Sequence, residues 1–268
     1  MLHIILAFQL CYMKKILLLA TAAIFYLVPT KTYANEVYEI TVYHFKDPQQ
    51  EITLDTYLQT AYLPALHRKQ INNIGVFKPI ANDTAVDKII YVIIPFKSLN
   101  DIQQVNNTLD KDAVYTEAGK AYLTTSYQNP PYTRMEKILL TAFELAPQMN
   151  VPKLTGDKKD HIYELRSYES ATEAYHINKV KMFNQGGEVE IFKSINANPV
   201  FYGDVIAGSR MPNLMYLTWY NNMEDRDAHW KTFGDNEKWK QLNTMDEYKH
   251  NVSKADIILM HATSYSDY

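Results

Sequence analysis

The segment VYEITVYHF opens at Val37, and IYELRSYES opens at Ile162, 125 residues later. The same offset carries YVIIPFKSLND, from Tyr91, onto YLTWYNNMEDR, from Tyr216. It carries GVFKPI, from Gly75, onto VFYGDV, from Val200, and Asp110 in LDKDAV onto Asp235 in GDNEKW. Four matches in one register, spread over most of each half, mark a duplicated supersecondary unit. Any element assigned to one half must then be compatible with the sequence of the other.

Each half shows the same punctuation. In the first, Glu36–His44 alternates with period 2, which predicts a strand with Tyr38, Ile40 and Val42 on one face and Glu39, Thr41 and Tyr43 on the other. Leu54, Tyr57, Leu58, Ala61 and Tyr62 then recur at helical spacing, with Pro64 placed to disturb that helix. Two apolar runs, Gly75–Ile80 and Lys88–Phe96, predict strands. Ser98 with Asp101 signals a helix start, Asp110 or Asp112 caps a further helix, and Met135–Phe143 predicts a last strand. The second half repeats the order. A strand at His161–Glu169 is followed by a helix with Ser170 and Glu173 as its cap signal. Strands at Val200–Ile206 and Leu214–Tyr220 come next, then a helix capped by Asn222, another restarting at Asp235, and a strand at Ala255–Ala262.

The order βαββαβ is that of a ferredoxin-like unit. A four-stranded antiparallel sheet with helices on one face leaves its other face open, and two such sheets can cover each other. The expected fold is therefore α+β: tandem ferredoxin-like repeats, 35–146 and 160–268, joined by a Pro-containing, charged linker at 147–159 and packed as one pseudo-two-fold body.

The start of the chain reads as an export signal. Lys14 and Lys15 precede an apolar run, Ile16 to Val28, and Thr32-Tyr33-Ala34 resembles a small-residue cleavage site. Residues 1–34 are thus expected to be a signal peptide beginning at Met13, with 1–12 an upstream extension. Its alternative is a retained anchor, although the apolar run is short of the roughly 20 residues a span needs. Without Lys14, Lys15 and Lys31 the net charge moves from −3 to −6, which argues against a nucleic-acid or anionic-lipid partner. Cys11, the single cysteine, leaves as well, so the exported form has no disulfide and no thiol chemistry.

On these residues the second half resembles a NIPSNAP domain of the dimeric α/β-barrel superfamily. The resemblance lies in YELRSY, YLTWYNNMEDRDAHWKTF and DNEKWKQL, and covers Asp160–Ser264. It extends more loosely over Glu36–Ala146, where Thr41 replaces the Arg of the opening motif and Val114 stands opposite Trp239. The segment YQNPPYTRMEKILLTAFE resembles a variant of exported, tandem bacterial members. The resemblance implies a dimeric α/β-barrel-type architecture and a tendency to form homodimers. The superfamily includes haem-handling enzymes, small oxygenases and isomerases, but the family supplies no catalytic residue to carry over.

Five residues stand out as candidate ligand-binding positions: Arg166, Tyr168, Arg226, His229 and Trp230. Arg166 shares a strand face with Glu164 and Tyr168, a face expected to point into the barrel. There its planar fork could clamp a carboxylate or phosphate, or pair internally with Glu164 or Glu39. His229, one turn from Arg226 and beside Trp230, could serve as a base or haem ligand, or sit at the edge of an amphipathic helix. His44 and its counterpart Glu169 could share a divalent metal, or His44 could be a strand-end residue near solvent. No Gly-rich phosphate loop and no nucleophile elbow is present. The sequence leaves open whether the protein is an enzyme. It favours an exported protein with a Tyr- and Trp-lined site for a small apolar or aromatic ligand, or a scaffold, with neither metal nor cofactor. The alternative is a cofactor-light or haem-handling enzyme.

Overall fold

The computed structural model describes residues 34–268, so all but the last residue of the expected leader lies outside the described residues. The first half runs β1 (Val37–Phe45), α1 (Pro48–Tyr57), α2 (Leu63–Arg68), β2 (Gly75–Pro79), β3 (Lys88–Phe96), α3 (Leu99–Leu109), α4 (Ala113–Ala118), α5 (Lys120–Leu123) and β4 (Arg134–Ala142). The second runs β5 (Ile162–Glu169), α6 (Glu173–Phe183), α7 (Glu188–Ser194), β6 (Pro199–Ala207), β7 (Asn213–Tyr220), α8 (Met223–Asp235), α9 (Glu237–Thr244) and β8 (Lys254–Ala262). The offset of 125 holds for β1/β5 and β3/β7, which begin at Val37/Ile162 and Lys88/Asn213. It falls to 120 at β4/β8, which begin at Arg134 and Lys254.

The eight strands close into a single antiparallel barrel in the order β1-β3-β2-β8-β5-β7-β6-β4. Within each half the strands lie in ferredoxin order, and two seams join the halves. One pairs β2 with β8 through Phe77–Ala262, Lys78–His261 and Pro79–Met260. The other pairs β4 with β6, from Leu139–Ala207 to Ala142–Gly203, with a register shift at Leu139/Leu140. Closure removes every exposed sheet edge, the standing hazard of an open four-stranded sheet. The second seam is tight: a Cβ on Gly203 would fall 2.9 Å from the Cβ of Leu140.

Three apolar layers result. The barrel interior is shared by both halves and holds Tyr38, Ile40, Val42, Phe77, Ile93, Leu140, Tyr163, Leu165, Phe201, Leu217 and Met260. Each fully buried Ile, Leu or Phe here contributes roughly 1.5–3 kcal/mol. The outer face of each half-sheet is covered by its own helices. Tyr57, Leu58, Tyr62, Leu66, Ile102, Val105 and Tyr115 pack over the first, and Met182, Phe183, Phe192, Phe233 and Leu242 over the second.

Local chemistry sets the helix ends. Ser98 Oγ accepts from the Asp101 amide and Asn222 Oδ1 from the Asp225 amide, so α3 and α8 start at equivalent points. Of the two aspartates open as caps in the first half, Asp112 is used, accepting from Val114 and Tyr115. Two expected caps are corrected. Ser170 does not cap α6: its backbone is still tied to Pro212 and its hydroxyl donates to the Asn251 carbonyl, while Thr172 Oγ1 takes the Tyr175 amide. Asp235 stays inside α8, and the extended residue Asn236 caps α9. The disturbance expected at Pro64 takes the form of a widened π-helical turn over Leu58–Tyr62, in which the Leu63 amide reaches back to the Leu58 carbonyl. Pro64 has no amide hydrogen to continue the ladder.

One expectation about the sheet is inverted. Glu164, Arg166 and Tyr168 do not point into the barrel; Tyr163 and Leu165 do, with Ser167 at the mouth. Period 2 fixes that these triplets face opposite ways but not which way is inward. The interior takes the apolar set because no charged partner reaches it, whereas the outward face meets charged and aromatic residues of α8.

Candidate functional site

The outward face of β5 carries a buried polar network. Glu164 is 0% exposed, and its carboxylate accepts from Arg166 Nε at 2.5 Å, Arg226 Nε at 2.6 Å and Trp230 Nε1 at 3.0 Å. Arg166 Nη1 donates to the Tyr168 hydroxyl, which lies 2.8 Å from the Tyr216 hydroxyl. The Arg166 guanidinium stacks 3.6 Å from the centroid of the Trp230 ring. Burial works against the charge on Arg166, but Tyr216, Tyr168 and Glu164 outweigh it and raise its pKa. Burial likewise pushes the Tyr216 hydroxyl well above its ordinary range. Beside this network, α6 and α7 bring together a second buried pair, Lys179 and Glu188, 2.8 Å apart.

Four of the five sequence-selected residues, Arg166, Tyr168, Arg226 and Trp230, are thus brought together, and they satisfy one another around Glu164. The internal-pair alternative for Arg166 is the geometry found. His229 stands apart at the edge of α8, its Nδ1 2.8 Å from the Asp225 carbonyl oxygen. His44 and Glu169 do not converge on one point: His44 Nδ1 lies 2.8 Å from Asp87, and Glu169 accepts from Arg210 Nε at 2.5 Å. Among the described residues no group of three His, Cys, Asp or Glu side chains is placed to hold a metal ion, and no helix is long and apolar enough to cross a membrane.

The corresponding layer of the first half is filled by tyrosines. Tyr57 stacks on Tyr122 at 3.7 Å and on Tyr62 at 5.6 Å, and its hydroxyl lies 2.9 Å from that of Tyr115. Burial raises the Tyr57 pKa far above its ordinary value, so the cluster is neutral at any physiological pH.

Inside the barrel, open space lies at one end. The end where β1 and β5 begin is stoppered: the Tyr268 ring packs 5.7 Å from Phe77 and 6.1 Å from Tyr163, and its hydroxyl donates to Met149 Sδ. The opposite end keeps a cavity of about 150 Å³. Val42, Ile89, Ile138, Met215 and Ile258 line its apolar part, and His44, Tyr91, Glu136, Ser167, Ser209, Arg210 and Asn213 its polar part. Tyr91 is 7% exposed and lines the cavity wall. Burial, offset in part by Arg210 and reinforced by Glu136, Asp256 and Asp87, pushes its pKa up to about 12. Glu136 accepts from the Ser209 hydroxyl at 2.8 Å and lies 3.7 Å from His44 Nε2. Arg210, with φ of 65°, is turned back onto Glu169 and Asp256. Of these residues the sequence singled out only His44. Tyr91 and Glu136 carried a signal in their strand parity with His44, since all three sit on inward positions at the same barrel end. Ser209 and Arg210 belong to a connection without periodicity.

An antiparallel barrel built from two ferredoxin-like units, each roofed by its own helices, defines the dimeric α/β-barrel class, here closed within one chain. Residues 163–267 match the NIPSNAP family model, and the chain carries a NIPSNAP domain over that span. A candidate monooxygenase of Lactobacillus acidophilus NCFM superposes with a TM-score of 0.54 at 11% identity, covering 85% of this chain and 94% of that one. A candidate monooxygenase of Fusobacterium nucleatum subsp. nucleatum ATCC 25586 gives 0.53 at 8% identity, covering 86% and 94%. A NIPSNAP-like domain protein of Burkholderia xenovorans matches at 16% identity with a TM-score of 0.37, covering 40% of this chain and 90% of that one. At these identities the first two likenesses establish the fold alone. No curated protein matches the chain in sequence.

Proposed function

We propose that this is an exported small-molecule-binding protein whose ligand sits in the open end of the barrel. The supporting observation is the cavity of about 150 Å³, largely apolar, with Tyr91, His44 and Glu136 converging on its polar side. A concave, mainly apolar site with a few converging polar groups is the usual form of a small-ligand seat. The layers between sheet and helices, by contrast, are occupied by Arg166, Trp230 and Tyr216 in one half and by stacked tyrosines in the other. Export follows from the leader at Met13, and fractionation of cells producing the chain from Met13 tests it. The barrel needs no second chain to close, so a homodimer would use an outer surface, which light scattering reads.

The seat is tested by titrating the protein with phenol and following amide shifts by NMR. Shifts centred on Tyr91, Ser167, Asn213 and Met215 support it; shifts centred on Arg166 and Trp230 overturn it. Titration with haem bears on the haem-handling alternative, for which a Soret shift abolished by His229→Ala would be the signature.

A second reading rests on His44. Its Nδ1 is held by Asp87 and its Nε2 faces Glu136 across the cavity rim, the arrangement of an oriented base. A ligand recovered chemically unchanged supports binding alone. Conversion that His44→Gln abolishes would make the protein an enzyme.

A further inference from the structure

We propose that the open-end cavity selects a small monocyclic amine in its cationic form, the ring inward and the ammonium at the rim against Glu136 and the Tyr91 oxygen. This rests on the reading of the cavity as the ligand seat.

The size argument sets the body of the ligand. A cavity of about 150 Å³ lined by aliphatic side chains accommodates a benzene-sized ring. Val42, Ile138, Met215 and Ile258 supply such a lining. The opening at the rim leaves room for one short substituent directed at the polar side.

The charge argument sets the head. Two charged residues line the cavity, Glu136 and Arg210. Arg210 is spent: it is ion-paired with both Glu169 and Asp256, which Lys254 also approaches at 3.8 and 3.6 Å. Glu136 has no fixed cation. Its partners are the Ser209 hydroxyl and, at 3.7 Å, His44, which is itself drawn to Asp87. Arg134, the register partner of His44, is exposed and turns to the Thr133 carbonyl. An anionic head would meet Glu136 and Asp87 with no free guanidinium to offset them. A neutral head offers the Glu136 carboxylate no counter-charge. A cationic N–H donor answers Glu136 and can also donate to the Tyr91 oxygen on the same cavity wall. Charge-assisted hydrogen bonds are the stronger kind, so the preference should be large enough to read.

Calorimetric titration of the full chain with benzylamine, benzyl alcohol and benzoate tests this. Benzylamine is expected to bind about tenfold or more tightly than benzyl alcohol, the worth of one charge-assisted bond, and benzoate not at all. In Glu136→Gln, whose site is at the surface, the amine and alcohol should bind alike. In Ile258→Phe, which fills the cavity, both should be lost. Equal binding of amine and alcohol by the unaltered protein overturns the cation preference while the seat stands. Tighter binding of benzoate overturns it as well. Absence of binding by all three compounds, or benzylamine binding untouched by Ile258→Phe, sinks the seat itself.

Discussion

Glu39 and Glu164 occupy the same point of their strands, 125 residues apart, and both are buried, at 3% and 0% exposure. Their partners differ. Glu164 is met by Arg166, Arg226 and Trp230, whereas the first half has Thr41 on the strand and, counted from the matching caps Ser98 and Asn222, Ile102 and Asn106 on the helix. Glu39 instead accepts from Lys137 at 2.5 Å, on the neighbouring strand, and from Thr41 at 3.4 Å. The duplication kept the carboxylate and replaced what compensates it.

Glu164→Leu should therefore be far more damaging than Glu39→Leu. The first leaves Arg166 buried with no counter-charge and Arg226 with only the exposed Asp227, a loss of about 3–5 kcal/mol. The second releases Lys137, whose side chain is 39% exposed and can regain water, for about 1 kcal/mol or less. Urea denaturation of the two variants gives the comparison; equal losses would contradict the asymmetry.

Tyr268→Ala should cost about 3 kcal/mol, the usual toll for a large aromatic removed from a core. The ring seals the closed end against Phe77 and Tyr163, and the segment before it stitches the halves together: Ser266 Oγ accepts from the Val76 amide and the Asp267 carboxylate from the Ile74 amide. Thermal unfolding reads the loss. A conservative Tyr268→Phe, which keeps the ring and gives up only the contact to Met149, should recover most of it.

Much of this architecture is legible in the sequence because it repeats. Val37 and Ile162 open strands, Ser98 and Asn222 cap helices, and the order of elements in one half confirms the other. What is not legible depends on closure. Alternation separates Tyr163 and Leu165 from Glu164 and Arg166 but is silent on which set turns inward until the eight strands join. The network around Glu164 could be anticipated in its members, since Arg166, Arg226 and Trp230 attract notice singly, but not in its self-sufficiency. The open-end cavity was the least accessible. His44, Tyr91, Glu136 and Arg210 come from four separate segments, and nothing local to any of them announces the others.

Two glycines make opposite predictions about alanine. At Gly203 a Cβ would lie 2.9 Å from both Cβ and Cδ2 of Leu140, across the β4–β6 seam, so Gly203→Ala should destabilise by about 1–3 kcal/mol through overpacking. At Gly234, within α8, a Cβ would meet nothing within 4 Å, so Gly234→Ala should stabilise by about 0.4–1 kcal/mol by restricting the unfolded chain. Chemical denaturation of both variants in parallel shows whether the seam is as close as the structure has it.

The Arg210 cluster should make stability depend on pH on the acid side. The hydrogen bond from Arg210, stronger than the opposing effect of burial and helped by the charges of Arg210 and Lys254, holds the Asp256 carboxyl below its ordinary value. A carboxyl so lowered contributes stability that is complete above its unfolded pKa of about 3.9 and is lost as pH falls through the folded value. Asp256 is partly exposed, so the contribution is that of a screened pair, about 0.5 kcal/mol. Asp256→Asn should accordingly be less stable than the unaltered protein at pH 7 by that amount, with the gap closing below pH ~4. Urea midpoints measured from pH 7 down to pH 2 follow it. A gap that stays constant across that range would mean that the loss does not come from the Asp256 charge and that the ion pair with Arg210 does not set the pH dependence.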